Sequence, residues 1–336
     1  MKKIILWFML IVLLAAAALV WTGWWYSQQP LKVVRGSANF TVQRGMAMRQ
    51  AADVVWEAGV RADPRFLSLL ARLSGRAQQI KAGNYQVKAG ITPWQLILKL
   101  ETGDVTRGTV LLVEGWTFQQ MRAALEKHPD LVHDTKGLSN AEILARIGAS
   151  QQQPEGLFFP DTYAVNKGAS VLSVLTRAYR AMQKRLNDEW EGRTRDLPLK
   201  SPYDALILAS VVEKETGRHE DRTRIANVFI NRLRVGMKLQ ADPTVIYGMG
   251  EKYKGKLRRL DLETDTPWNT YTRTGLPPTP IAMPGLASLR AVLHPEGGDM
   301  LYFVARGDGS SVFSRTLNEH NRAVDRYIRN REASKN

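Results

Sequence analysis

The chain has 336 residues, more than a single hydrophobic core usually organises, so two or three domains are expected. Hydrophobic residues make up 44% and charged residues 24%, which excludes wholesale disorder; cysteine is absent, which excludes disulfides, thiolate nucleophiles, iron–sulfur clusters and cysteine-based zinc sites. The five histidines show no HExxH-type spacing, so no metal and no cofactor is called for, while the net charge of +15 implies a polyanionic partner or surface: nucleic acid, anionic lipid or an acidic polymer.

After Lys2 and Lys3, no charge occurs from Ile4 to Tyr26. At 1.5 Å per residue, about 20 apolar residues cross the hydrocarbon of a bilayer, and this run is long enough. Trp21, Trp24, Trp25 and Tyr26 crowd its far end, where amphipathic rings settle among headgroups. Ala15 to Ala18 could imitate the cleavage site of a signal peptide, but the apolar run continues past them, as an uncleaved anchor would. We therefore read residues 4–26 as a transmembrane anchor and 1–3 as a cytoplasmic N-terminus. The lysine pair favours that orientation, and Lys32 and Arg35 beyond the span weaken the bias. With the bulk of the chain outside the membrane, no nucleic-acid partner is expected.

Between residues 40 and 131 three stretches each run from a short β-branched segment through a glycine into a helical pattern: FTVQRGMAMRQAADVVWEAG, YQVKAGITPWQLILKLETG and VLLVEGWTFQQMRAALEKH. Gly45, Gly90 and Gly115 sit where each strand must turn, and Gly103 is placed to cap the second helix, whose Leu96, Ile97 and Leu100 keep helical spacing. Such units suit either a peptide- or glycan-binding module or a packing spacer. Beyond residue 150 the predicted elements are a long amphipathic helix (SVLSVLTRAYRAMQKRLNDEW), a helix opening at Ser201-Pro202 and a helix in RTRIANVFINRLRVG. A rigid loop over 264–285 holds five of the fifteen prolines, a hairpin turns at Gly307-Asp308-Gly309, and a basic tail helix frays. The fold class is α+β.

The helix through Ala205–Thr216 carries the chemistry that periodicity can detect. Leu208, Val211 and Val212 share one face at i, i+3 and i+4, and Glu215 is next on that stripe at i+7. A carboxyl group at the end of an apolar face is desolvated, its pKa rises, and it can serve as a general acid near neutral pH. Glu213 lies about 200° away around the helix, behind Ala209 and Ser210, and is expected to pair with a basic neighbour. The competing reading has Glu215 cap the helix or form a salt bridge. Asp242 could open a helix before Pro243, Tyr247 could be core, and Asn269 and Tyr271 could bind sugar or hold their loop together. His320 and Asn321 are expected to brace the tail. No P-loop, GxGxxG or GxSxG element occurs.

The segments ASVVEKETG, FINRLRVGMKLQADPTVIYGMG, NTY and TGLPPTPI, in that order, closely resemble the endolytic murein transglycosylases of the YceG-like (MltG) family. The resemblance spans nearly the whole chain. It implies a single N-terminal transmembrane helix, a small LysM-like α/β module at 38–108 and a larger α+β catalytic domain at 109–336. The sequence departs from the family pattern in PPTPIAMPG, which lacks a glycine between the prolines and an asparagine before the last proline.

The family's catalytic glutamate, the second of E-K-E, maps onto Glu215. The resemblance implies cleavage of the MurNAc–GlcNAc β-1,4 bond within peptidoglycan strands, without water, leaving 1,6-anhydro-MurNAc ends. Gln240, Asp242, Tyr247, Asn269 and Tyr271 become candidates for holding the sugars. The implied setting is the inner membrane, with a periplasmic catalytic domain, nascent glycan strands as substrate and peptidoglycan synthases (penicillin-binding proteins) as partners. Two rivals are a non-catalytic wall-binding scaffold and a hydrolytic muramidase. The muramidase needs a second carboxylate, available at Glu213, Asp242 or Glu263.

Overall fold

The computed structural model of the chain describes residues 2–34, 36–43, 45–103 and 107–329; Arg35 and the fraying end expected of the tail lie outside them. It mixes helix and sheet and divides into two compact units, Met1–Gly108 with Ala164–Lys167, and Thr109–Tyr163 with Gly168–Asn336.

The first unit contains α1 (Lys2–Ser27), β1 (Ser37–Val42), α2 (Met48–Glu57), α3 (Pro64–Leu73), β2 (Gly83–Lys88) and α4 (Pro93–Thr102). Within α1, Met9–Ser27 is long and apolar enough to cross a membrane, and of its described side chains only Ser27 at the end is buried. β1 and β2 pair antiparallel with Phe40 opposite Tyr85, whose rings stack 5.6 Å apart. The alternation of the two strands sends Phe40, Val42, Tyr85 and Val87 inward against Val55, Leu67 and the fully buried Leu96, Ile97 and Leu100. Each such aliphatic side chain contributes roughly 1.5–3 kcal/mol on leaving water. A capping box starts α4: the Thr92 hydroxyl accepts from the Gln95 backbone N–H while the Gln95 side-chain oxygen Oε1 accepts from the Thr92 N–H. Gly103 ends it in the left-handed conformation, φ 71°.

The element order continues through β3 (Arg107–Leu111), α5 (Phe118–Glu126), β4 (Leu131–Val132), α6 (Asn140–Ile147), β5 (Thr162–Asn166) and β6 (Ala169–Ser170). It is completed by α7 (Val171–Glu191), α8 (Pro202–Glu215), α9 (His219–Arg234), α10 (Asp242–Met249), α11 (Arg259–Glu263), α12 (Leu286–Leu293), β7 (Tyr302–Ala305), β8 (Ser311–Ser314) and α13 (Leu317–Val324). The threefold echo is thus local rather than a shared sheet. The turning glycines Gly45, Gly90 and Gly115 all have positive φ (82°, 92° and 74°), but only the first two strands pair with each other, and α5 belongs to the second unit.

The second unit is organised around α8. Ser201 caps it by accepting from the Asp204 N–H at 3.2 Å, and Pro202 occupies its first turn, where no amide hydrogen is missed. Every residue from Ala205 to Val212 is buried, with α7, α9, α10 and α12 packed around the helix. The single apolar stripe expected from the sequence is therefore a helix apolar on all sides, the pattern of a core helix. The row that leads to Glu213 through Ala209 and Ser210 is as dry as the one that leads to Glu215. The proline-rich segment between α11 and α12 holds no strand or helix, and β7 and β8 form the expected antiparallel hairpin.

Candidate active site

The two glutamates at the end of α8 have different surroundings. The Glu213 carboxylate accepts from the Gly285 N–H (3.0 Å) and the Ser288 hydroxyl (2.7 Å), and the Arg222 guanidinium lies 3.8 Å away. Its side chain is 7% exposed; Oε2 takes both donors at the start of α12, and Oε1 faces Arg222. A Cβ at Gly285 would stand 1.9 Å from a Glu114 carboxyl oxygen, so a larger residue there would require the Glu114 side chain to shift. Burial, and then the Glu213 charge, push the Glu114 carboxyl above its usual range.

Glu215, one turn-end further, faces a cavity of about 370 Å³. Among the described residues none donates a hydrogen bond to its carboxyl. Burial first, and the Asp242 carboxylate second, raise its pKa from an ordinary 4.5 to about 7, against the opposing pull of Arg232. That difference corresponds to roughly 3 kcal/mol against the ionised form. The group can thus hold a proton at neutral pH and face a ligand with it.

Several chain segments converge on this carboxyl. Gln240 and Asp242 come from the stretch between α9 and α10, where Gln240 has φ 51°, a left-handed conformation that costs a non-glycine residue about 1 kcal/mol or more. Tyr271 comes from the proline-rich loop and donates to Asp242 at 2.5 Å. The two segments are clamped together out of reach of water. The Gln240 N–H donates to the Thr270 carbonyl and the Ala241 N–H to the Thr270 hydroxyl, which lies 2.8 Å from the Thr244 hydroxyl. Burial and the Asp242 carboxylate hold the Tyr271 hydroxyl well above the usual tyrosine range, so it stays a donor. The far wall consists of Tyr302 and Phe303 from β7 with Leu317 and His320 from α13. His320 stacks on Tyr302 at 5.2 Å, and burial, aided by Arg232, keeps its ring below the ordinary histidine pKa.

Of the six candidate residues read from the sequence, the cavity brings together Glu215, Gln240, Asp242 and Tyr271. Asn269 is fully buried. Its amide donates to the carbonyls of Leu262 and Thr264 and its oxygen accepts from the Tyr271 N–H, so it holds the loop that carries Tyr271 and does not line the cavity. Tyr247 also lies outside the lining. Its hydroxyl donates at 3.1 Å to Glu155, a carboxyl that burial pushes up to about 7 although the Phe118 N–H and Tyr247 both favour its ionised form. Of the three carboxylates available as a second acid, Asp242 alone lines the Glu215 cavity. Glu213 is spent on α12, and Glu263 pairs with Arg259 at 2.9 Å in a neighbouring hollow that Tyr271 also borders.

Sequence reasoning missed Arg232. Its guanidinium donates to the Leu239 carbonyl (2.6 Å) and the Leu301 carbonyl (2.7 Å), tying the Gln240 segment to β7, and it is buried at the cavity edge. The signal was available: Ile225, Val228 and Phe229 form a buried stripe at i, i+3 and i+4, and Arg232 stands at i+7, repeating the pattern that singled out Glu215. Burial lowers its pKa, and the neighbouring tyrosines and Glu215 oppose that shift.

The YceG-like family profile matches residues 40–326. An endolytic murein transglycosylase of Bacillus subtilis is 31% identical over 318 residues, covering 87% of this chain and 85% of that protein. A protein of the same name from Streptococcus pneumoniae is 25% identical over 74% of this chain, which spans about half (51%) of that relative's length. Among solved structures, a YceG-like protein of Listeria monocytogenes aligns with a TM-score of 0.53 and 28% identity, over 86% of this chain and 99% of its own. A profile match over most of the chain, with a relative above 30% identity across nearly its full length, is decisive: this chain belongs to the YceG-like family.

Proposed function

We propose that the protein is a peptidoglycan lytic transglycosylase that cuts glycan strands internally, with Glu215 as the acid and then the base. The observation that carries this reading is a carboxyl with a pKa of about 7 that faces a cavity and has no hydrogen-bond donor among the described residues, in a chain related to endolytic murein transglycosylases. Glu215 gives its proton to the glycosidic oxygen between MurNAc and GlcNAc as the C1–O bond breaks. The substrate's N-acetyl oxygen shelters the positive charge that develops at C1. The Glu215 carboxylate then removes the proton of the C6 hydroxyl as that oxygen bonds to C1, closing the 1,6-anhydro ring and restoring the acid. One carboxyl suffices because substrate groups replace the second carboxylate of an ordinary glycosidase.

Asp242 and Tyr271 have two roles in this reading: Asp242 keeps the Glu215 proton in place by its charge, and both offer hydrogen bonds to sugar hydroxyls alongside Gln240. Asn269 acts through Tyr271, and Tyr247 through the fold around Glu155. The muramidase reading keeps one specific support, the Asp242 carboxylate in the same cavity, which could hold a water molecule.

The α1 helix anchors the enzyme in the inner membrane with its N-terminus cytoplasmic, so that the catalytic domain is periplasmic and works on strands as synthases release them. The order strand, helix, helix, strand in residues 37–88 supports a LysM-like module between anchor and catalytic domain. Mass spectrometry of fragments released from uncrosslinked glycan strands tests the reaction. Anhydro ends are expected; ends heavier by one water would establish hydrolysis, and no release would favour a scaffold.

A further inference from the structure

The first unit has an apolar face that no described residue covers. α3 packs beside the end of α1, with the Tyr26 ring meeting Phe66 edge-on at 4.6 Å. A groove of about 690 Å³ runs between the two helices, lined by Val20, Trp24, Phe66, Leu69, Leu73 and Trp94. Leu69 is 54% and Leu73 79% exposed, one turn apart on the outer side of α3.

The same outer side carries charge of one sign. Arg65 and Arg72 are exposed and stand four and three positions from Leu69, so cations and leucines alternate along the helix, which contains no acidic residue. Trp24, which marks the headgroup level if α1 spans a bilayer, is itself part of the groove wall. An apolar-and-basic helix face at the height of an interfacial tryptophan matches one surface: lipid headgroups with the upper acyl chains beneath them.

We propose that α3 is a second membrane contact, Leu69 and Leu73 dipping into the outer leaflet while Arg65 and Arg72 meet lipid phosphates. The inference rests on the reading of α1 as a span and adds to it. The first unit lies against the bilayer with a fixed face down instead of swinging on its anchor.

The absence of cysteine makes the test clean. Single-cysteine chains Leu13→Cys, Leu73→Cys and Trp56→Cys, each full length and labelled with an environment-sensitive fluorophore, are reconstituted into phosphatidylethanolamine–phosphatidylglycerol vesicles containing brominated or spin-labelled lipid. Leu73 is mostly exposed, so its replacement leaves the core intact. The probe at Leu13 is expected to lose most of its emission to quenchers deep in the acyl chains. The probe at Leu73 is expected to lose most of its emission to quenchers near the headgroups, and the probe at Trp56 on α2 to lose little. Quenching at Leu13 with none at Leu73 would overturn the α3 contact while leaving the span standing. No quenching at either would overturn both.

Discussion

Two carboxyl groups of the second unit are lifted to about pH 7 by the same cause, burial, yet their surroundings differ. Glu155 is 6% exposed and takes the Phe118 N–H and the Tyr247 hydroxyl, so its oxygens are committed and its proton has nowhere to go. Glu215 has no donor among the described residues and opens onto a cavity where Asp242, Tyr271 and Arg232 gather. A shifted pKa therefore marks a dry carboxyl, and access with unspent hydrogen-bonding capacity marks a reactive one. Glu213, two residues from Glu215, makes the same point from the other side: its side chain is 7% exposed, and it is held by Gly285, Ser288 and Arg222.

The contrast predicts a graded series of effects. Glu215→Gln should lower anhydro-end formation by on the order of 10³-fold, the usual worth of a general acid-base group, with the thermal midpoint unchanged or raised. Retention of activity by a folded Glu215→Gln protein would end its assignment. Glu213→Ala should act on stability, costing roughly 3 kcal/mol in chemical denaturation because Arg222 and two donors lose their acceptor. Glu213→Gln should recover much of that loss by restoring an acceptor to Gly285 and Ser288.

Glu155 sharpens the comparison through pH. Its pKa in the fold, about 7, exceeds its ordinary 4.5, so between those values the folded chain holds a proton that the unfolded chain releases. Its contribution to stability is complete below about pH 4.5, declines as pH rises and is lost above 7. Glu155→Gln should remove that decline, raising stability by about 3 kcal/mol near pH 8 relative to the parent and leaving it unchanged near pH 4.5. Denaturation midpoints at the two pH values check this. The smallest effect is expected from the charge beside Glu215: Asp242→Asn removes a group that raises the Glu215 pKa, so the alkaline limb of the rate profile should move to lower pH.

The sequence made much of this legible for reasons that are local. Ser201-Pro202 marked the start of α8, Gly103 the end of α4, and the proline-rich loop remained a loop, because caps, positive φ and missing amides act over a few residues. A stripe pointed to Glu215, although α8 proves to be apolar all round; the distinction from Glu213 lies in partners supplied by α12, which is remote in sequence. Partners of that kind also decided Asn269 and Tyr247, whose polar atoms are taken up by Leu262, Thr264 and Glu155. Arg232 was missed because a cation at i+7 of an apolar stripe reads as the polar edge of a helix until the carbonyls of Leu239 and Leu301 close over it. The third strand–turn–helix unit misled for the same reason: a repeat fixes local shape and leaves strand pairing open.

The central claim is that burial keeps Glu215 protonated at the pH where it must donate. The pH dependence of kcat/KM for anhydro-end formation tests it most directly, since that ratio titrates the free enzyme. The rate should be level at lower pH and fall about tenfold per unit above a limb near 7. A rate that stayed flat or rose from pH 6 to 9 would contradict the account, because the proton would then come from another group.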